Sequence, residues 1–251
     1  MPQGKRRARI LPIHAQKAAP KAAPTHPFDR LFRTNTGGLI PRAELLTGHA
    51  NDAHITAYYA VAPSILDSLI DVWLGTRPRF AIDRYTFLDI GAGKGRAVLC
   101  AANHPFLEVI GIELNPGLAA IARANIKTFE TGRQTSPLAP ISLIEGDALA
   151  APLPSTPTVA FLFHPFEAPV LRRLVARAEL HFAHRPGEFD LLYVNAEHAS
   201  VLDGNPRFER VFHGMLPMSA EDHLADLAEI AEQMEYGSTG DELCTIFRFT
   251  G

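Results

Sequence analysis

The chain has 251 residues, 47% of them hydrophobic, and a formal net charge of −3 at pH 7. This length allows one large α/β domain or two small ones, and the apolar content suffices for a substantial core. No apolar run approaches the ~20 residues that cross a bilayer, which argues against a membrane protein and predicts a cytoplasmic location. The two cysteines, Cys100 and Cys244, lack the spacing of zinc sites or disulfide frameworks, so we expect reduced, buried thiols and no metal.

The charge is distributed unevenly along the chain. Residues 1–33 hold eight Lys and Arg against one acid, Asp29, whereas the rest of the chain holds 16 basic and 26 acidic side chains. Residues 15–24 consist mainly of Ala, Pro and Lys, which is typical of disorder. We therefore predict that residues 1–35 form a basic, disordered tail. Such a tail attracts nucleic acid or an acidic partner through its charge, but it is equally compatible with a solvated extension that binds nothing.

Glycines and a proline interrupt the segment that follows the tail, and apolar residues recur at helical spacing after Ala62-Pro63. The pattern predicts an amphipathic helix that ends near Gly75. We assign residues 36–84 to an N-terminal helical cover and residues 85–251 to the main domain.

In the main domain, short apolar runs alternate with helical stretches. Alternation of this kind predicts an α/β fold with a doubly wound, mainly parallel sheet between two helical layers. An acidic helical stretch separates the last two strands, and we expect the last one to be an antiparallel edge strand, although a crossover would also allow a parallel one. The seven predicted strands are residues 85–90, 107–113, 141–145, 158–163, 189–195, 207–212 and 243–249.

A glycine-rich turn, Asp89-Ile90-Gly91-Ala92-Gly93-Lys94-Gly95-Arg96, follows the first of these strands. Glycines at such a turn let the backbone approach a ligand closely, and the N-terminus of the next helix adds oriented N–H groups. Dinucleotide-binding folds use a similar turn with the spacing G-x-G-x-x-G. Here the spacing is G-x-G-x-G, an acid lies two residues before the first glycine, and a second acid, Glu113, ends the next strand.

With these motifs the chain resembles the class I, Rossmann-like S-adenosylmethionine-dependent methyltransferases over about residues 58–200. The resemblance implies that Glu113 holds the ribose hydroxyls of S-adenosylmethionine and that Asp147, with Ala148 beside it, faces the adenine. The residues that it assigns to the cofactor are Asp89, Gly91, Ala92, Gly93, Gly95, Glu113, Asp147 and Ala148.

The sequence after the fourth strand, Phe163-His164-Pro165-Phe166, is similar to the family's Asn-Pro-Phe form of the acceptor motif, with His in place of Asn. A histidine with a pKa of about 6.5 could take the acceptor's proton, so His164 is the candidate catalytic residue. Alternatively, His164 only ends the strand and packs beside Phe166. The other candidates on the acceptor side are Pro165, Phe166, Tyr58, Tyr59 and His198.

These residues predict an enzyme that transfers a methyl group to an unidentified acceptor, for which a protein side chain is a candidate. Two alternatives stay open. One is an NAD-dependent oxidoreductase of similar fold, against which the turn spacing argues. The other is a binding module that keeps the cofactor site without catalysing transfer, which the His at position 164 would favour.

Overall fold

The computed structural model describes residues 26–132, 139–231 and 238–251, and their seven strands form one mixed sheet in the order β3-β2-β1-β4-β5-β7-β6. The first five strands are mutually parallel, and β7 is antiparallel to both of its neighbours. This confirms the predicted α/β fold with a mainly parallel sheet. The strands are β1 Thr86–Ile90, β2 Glu108–Glu113, β3 Ile141–Glu145, β4 Thr158–Phe163, β5 Phe189–Val194, β6 Phe208–Pro217 and β7 Asp241–Phe249.

The last strand is antiparallel as expected, but its predicted place at the edge of the sheet is wrong. β7 lies between β5 and β6, so β6 is the edge strand. The physical reason is the apolar content of β7, whose residues from Cys244 to Phe247 are buried. Such a strand needs helices over both faces and a neighbouring strand on each side. β6 is longer than predicted and bends at an irregularity between Arg210 and Phe212.

The six α-helices of the described residues lie on both faces of the sheet. One apolar cluster joins α2, α3 and α4 to one face, and a second joins α5 to the other, which gives the predicted three layers. α6 contacts the short α1, so the two lie side by side. The helices are α1 Pro27–Phe32, α2 Pro63–Gly75, α3 Arg96–Ala101, α4 Pro116–Gly132, α5 Ala168–Phe182 and α6 Ala220–Ile230.

The predicted amphipathic helix is α2. Pro63 occupies its first turn, where a missing N–H costs nothing, and its apolar stripe is fully buried against the sheet. At the end of that stripe, the indole N–H of Trp73 donates to the buried Asp190 carboxylate at 2.7 Å. Arg248 on β7 binds the same carboxylate at 2.9 Å, so the Trp73 hydrogen bond ties the helical cover to an ion pair within the sheet.

The boundary of the predicted tail is wrong, because residues 26–35 are part of the folded structure. Asp29 in α1 is 4% exposed, and its carboxylate accepts hydrogen bonds from Thr34, Thr36 and Gly37 at 2.7–2.9 Å. The one acid in a basic segment therefore organises the turn that follows α1. The remainder of the predicted tail, residues 1–25, lies outside the described residues. Across the described ranges, no helix combines the length and the apolar character needed to cross a membrane.

Candidate cofactor and acceptor site

The glycine turn joins β1 to α3 at the carboxyl edge of the sheet. Gly91 and Gly93 have φ values of +82° and +56°, which favour glycine over other residues. A Cβ at Gly93 would lie 2.2 Å from the ring of Tyr58, and one at Gly91 would lie 2.5 Å from Cβ of Pro165. The turn therefore has no space for side chains at these two positions.

Glu113 at the end of β2 fixes this turn. Its carboxylate accepts the backbone N–H groups of Gly93 and Asn115, both at 2.7 Å. Glu113 is 7% exposed, and burial raises the pKa of its carboxyl. The side chain of Asn115 in turn accepts the N–H of Leu118, as an N-cap does at the start of α4. The carboxylate is therefore held in one orientation beside the turn.

Asp89 ends β1 under the same turn and is 3% exposed. Burial, and then the nearby charge of Glu113, raise the pKa of Asp89 to about 8. Its Oδ2 atom has no hydrogen-bond partner among the described residues. Because an unpaired buried carboxylate is costly, this atom calls for a cationic or hydrogen-bonding ligand.

Asp147 follows β3 and connects the sheet to the N-terminal cover. Its carboxylate accepts the N–H of Leu149 at 2.9 Å and the side-chain amide of Asn51 at 3.2 Å. His49 lies 3.9 Å from it. Asn51 is a site residue that the sequence analysis missed. It reaches Asp147 only because the N-terminal segment folds back over the sheet.

These residues surround one cleft, which encloses about 1030 Å³ including its open mouth. Pockets for nucleoside-sized ligands have volumes of this order. Most of the predicted site residues line it: Asp89, Gly91, Ala92, Gly93, Glu113, Asp147, Ala148, Tyr58, Tyr59, Pro165 and Phe166.

Three predicted site residues are not among the residues that line the cleft. Gly95 instead precedes α3 as its N-cap, with φ +91°. The imidazole of His164 lies 3.2 Å from the Tyr193 hydroxyl and 3.6 Å from Glu197, and its ring centre is 5.2 Å from that of His198. The two histidines thus pack together after β4 and β5, beside the cleft. Burial lowers the pKa of His164, and its φ of +43° is left-handed.

Arg96, the last residue of the glycine-rich turn, is a second site residue to which the sequence analysis gave no role. It lines the cleft and is 1% exposed. Its Nε donates to Thr36 at 2.8 Å, and its Nη2 lies 3.5 Å from Glu229 and 3.9 Å from Asp29. Its Nη1 has no partner in the part of the chain that the structure describes. Among the described residues, the cleft-lining Asp89 and Arg96 therefore each have one atom without a hydrogen-bond partner, Oδ2 and Nη1. The described part of the chain contains no cluster of three or more His, Cys, Asp or Glu that could hold a metal ion.

Residues 88–168 match the family model of the methyltransferase domain. No curated protein sequence matches the chain.

Three solved structures show the level of structural similarity. An RNA methyltransferase from Salinibacter ruber in complex with S-adenosyl-L-homocysteine is 15% identical, with a TM-score of 0.42 over 77% of this chain and 93% of that one. A precorrin-6y C5,15-methyltransferase from Geobacter metallireducens is 15% identical, with a TM-score of 0.45 over 72% and 87%. A ribosomal protein L11 methylase from Lactobacillus delbrueckii is 12% identical, with a TM-score of 0.45 over 74% and 79%.

The sheet order and the glycine turn at its carboxyl edge define a Rossmann-like α/β protein with a nucleotide-type site. The family match is to a methyltransferase domain over residues 88–168, the segment that holds the glycine turn, Glu113 and Asp147, and it supports methyl transfer from S-adenosylmethionine.

Proposed function

We propose that this enzyme methylates a protein side chain that enters the cleft between Tyr59, Phe163 and Pro165. The observation that carries the proposal is the lining of the cleft, in which aromatic side chains occur together with the glycine turn, Glu113 and Asp147. The rings of Tyr59 and Phe163 are 6.4 Å apart. Aromatic walls of this kind suit a side chain that must reach a buried methyl group.

The unpaired groups of the cleft fit the cofactor. The methionine part of S-adenosylmethionine carries an ammonium and a carboxylate, and the cleft offers an unpaired carboxylate on Asp89 and an unpaired guanidinium N–H on Arg96. In the proposed arrangement these two residues hold the methionine part, Glu113 holds the ribose hydroxyls, and Asp147 with Ala148 faces the adenine. Gly91 and Gly93, where a Cβ atom would clash with its neighbours, allow the cofactor to approach the backbone closely.

When bound, the cofactor supplies a methyl group on a positively charged sulfur. The residues of the chain then have to align the acceptor and exclude water, since an in-line displacement depends mainly on positioning. Tyr59, Phe163 and Phe166 are suited to this, because they are large and border the cleft next to the glycine turn. His164 is less well placed, because its imidazole contacts Tyr193 and Glu197 instead of the cleft.

Surface properties support a protein acceptor. Leu31 on α1 is 74% exposed, and Leu224 and Leu227 on α6 are 68% and 42% exposed. Because α1 contacts α6, we infer that these leucines form one apolar patch, and such patches commonly mark protein-binding surfaces. Residues 34–251 carry 16 basic and 26 acidic side chains, which opposes the electrostatic attraction that nucleic-acid binding needs.

The proposal is tested by incubating the purified protein with methyl-labelled S-adenosylmethionine and a lysate of the source cells, then separating protein, RNA and small molecules. We expect label in protein. Glu113→Ala should prevent labelling. Glu145→Gln should not, because Glu145 is an exposed residue of β3 that lies opposite Glu113 in the sheet. Label confined to RNA or to small molecules would overturn the protein acceptor.

A further inference from the structure

A cluster of acidic side chains lies behind the Tyr59 wall of the cleft. Asp226 on α6 is 1% exposed and lies beside the Tyr59 hydroxyl. Glu229, one turn later on α6, has a side chain that is 1% exposed and contacts Arg96. Tyr59 and Arg96 line the cleft, so the cluster adjoins two residues of the cleft wall.

Several buried atoms in this cluster have no hydrogen-bond partner among the described residues. They are both carboxylate oxygens of Asp226, Oε2 of Glu229 and the hydroxyl of Tyr59. Buried polar groups are normally paired, and an unpaired buried carboxylate is among the most costly of them. If Asp89 and Arg96 bind the cofactor as proposed, the atoms that remain unpaired in this cluster include carboxylate oxygens of two acids beside the Tyr59 hydroxyl.

The charges around Asp226 are predominantly negative. The cations are Arg96, Lys94 and, near His26, Arg30, and the ammonium of Lys94 donates to the carbonyl of Gly37 at 2.6 Å. Burial, and then Arg96, lower the pKa of the neighbouring His26 to about 4, so His26 is neutral at pH 7. The acids that act on the cluster are Asp29, Asp222, Asp226, Glu229 and Glu242. The cluster therefore attracts cations.

We infer that the methyl acceptor is a primary amine, the side chain of a lysine in the proposed protein acceptor, with Tyr59 facing its nitrogen and Asp226 and Glu229 providing negative charge behind Tyr59. The inference rests on the proposed function. Tyr59 is the residue that contacts the acceptor, and Asp226 is a positioning residue that acts through it.

The pKa values of Asp226 and Glu242 are consistent with a cluster that binds an ammonium group. Burial first, with further contributions from Glu229 and Asp222, raises the pKa of Asp226 to about 6, although the charge of Arg96 opposes the rise. Burial and then Asp226 raise the pKa of Glu242 to about 7. Both groups therefore ionise near neutrality, and a bound ammonium would favour their charged forms.

Methyl transfer to the lysine nitrogen takes place in two steps. The ammonium of the lysine first loses one proton, which passes by way of the Tyr59 hydroxyl and the Asp226 carboxylate to solvent. The nitrogen then forms a bond to the methyl carbon, while the bond from that carbon to sulfur breaks and its electron pair stays on sulfur. The products are a methylated ammonium, S-adenosylhomocysteine and the released proton.

The first experiment uses n-butylamine as the probe, since it has the length and charge of a lysine side chain. The full chain is saturated with S-adenosylhomocysteine at pH 7.5, and its thermal midpoint is measured with millimolar n-butylamine or n-butanol. We expect n-butylamine to raise the midpoint and n-butanol to leave it unchanged. The rise should vanish below about pH 5, where Asp226 is protonated. Equal responses to the two compounds would overturn the inference.

The second experiment compares variants. Asp226→Asn should abolish the response to n-butylamine and also raise the midpoint of the unliganded chain by about 2–4 °C, because it removes an unpaired buried charge. Glu221→Gln, at an exposed position of the same helix, should change neither. Tyr59→Phe keeps the ring and should lower kcat/KM for a lysine peptide by about tenfold to a hundredfold. An undiminished amine response in both variants would exclude the cluster from acceptor binding.

The site of labelling separates this inference from the proposed function. If label enters protein on a residue other than lysine, the protein acceptor stands and the amine inference fails. If label does not enter protein, the proposed function fails, and the n-butylamine assay then decides separately whether the cluster binds amines.

Discussion

The carboxylate of Glu113 accepts the backbone N–H of Gly93 at 2.7 Å, which links the end of β2 to the glycine turn after β1. Glu113 also accepts the N–H of Asn115, at the start of the segment that leads into α4. One buried side chain thus fixes two backbone segments of the proposed cofactor site. A helix-dipole role alone would not explain the bond to Gly93, which lies in a different loop.

Glu113→Ala should weaken binding of S-adenosylhomocysteine by about tenfold to a hundredfold, because the ribose loses its acceptor and the turn loses its anchor. It should also lower the free energy of unfolding by about 1–3 kcal/mol, since two N–H groups are left unpaired. Calorimetry and urea titration measure the two effects. Glu145→Gln is the matched control, and an unchanged dissociation constant for Glu113→Ala would contradict the assignment.

Cofactor binding should release protons at pH 6–7 by way of Asp89. The pKa of Asp89, about 8 in the free protein, should fall when an ammonium binds beside it, so the affinity for S-adenosylhomocysteine should rise with pH in this range. Calorimetry in buffers with different ionisation enthalpies measures the released protons. Asp89→Asn should remove most of the release, and an identical release in the variant would show that another group titrates.

Asp89 should also make the stability of the free protein depend on pH. Its folded-state pKa lies above the unfolded value of about 3.9, so the folded state binds this proton more tightly. The contribution to stability is complete below about pH 4 and is lost as the pH rises towards 8. Asp89→Asn should flatten this decline in thermal midpoints that are measured without cofactor.

Asp29→Ala should lower the free energy of unfolding by about 2–4 kcal/mol, because several buried donors lose their acceptor. Cofactor affinity should fall too, since Thr36 also binds Arg96 and the Tyr58 hydroxyl. Urea denaturation and calorimetry test both. Asp83→Ala, at an exposed acid before β1, is the control, and equal stabilities of the two variants would refute an organising role for Asp29.

His164→Asn should keep methyl transfer within about tenfold of the wild type. The imidazole lies beside the cleft, and Asn tolerates the left-handed backbone of this position better than most residues. Steady-state rates with a labelled protein acceptor test this, with Tyr59→Phe as the variant that should lose activity. A loss of more than a hundredfold would restore His164 as the base that the sequence alone suggests.

Replacing Leu224 and Leu227 together by Ser should raise the KM for the protein acceptor about tenfold and leave kcat and cofactor affinity unchanged. The two leucines lie one turn apart on the exposed face of α6, where they are free to contact a partner protein. Leu180→Ser, at an exposed leucine of α5, is the control. Equal KM values for the double variant and the wild type would show that the acceptor docks elsewhere.

The sequence by itself determined the fold class and one side of the site. Apolar strands that alternate with helices dictate a parallel sheet. Asp89 and the glycine turn follow β1, Glu113 ends β2, and these two parallel strands are neighbours, so the residues meet at one edge of the sheet. These features depend on spacing along the chain, which is visible in one sequence.

Tertiary structure decided the rest. Asp29, Asn51 and Asp226 are distant in sequence from the glycine turn, and only the packing of the N-terminal segment and α6 brings them near it. β7 takes an inner position because its apolar residues need cover, which spacing does not reveal. The direction of the His164 side chain depends on a left-handed backbone and on contacts with Tyr193 and Glu197, so its place beside the cleft could not be deduced from its position after β4.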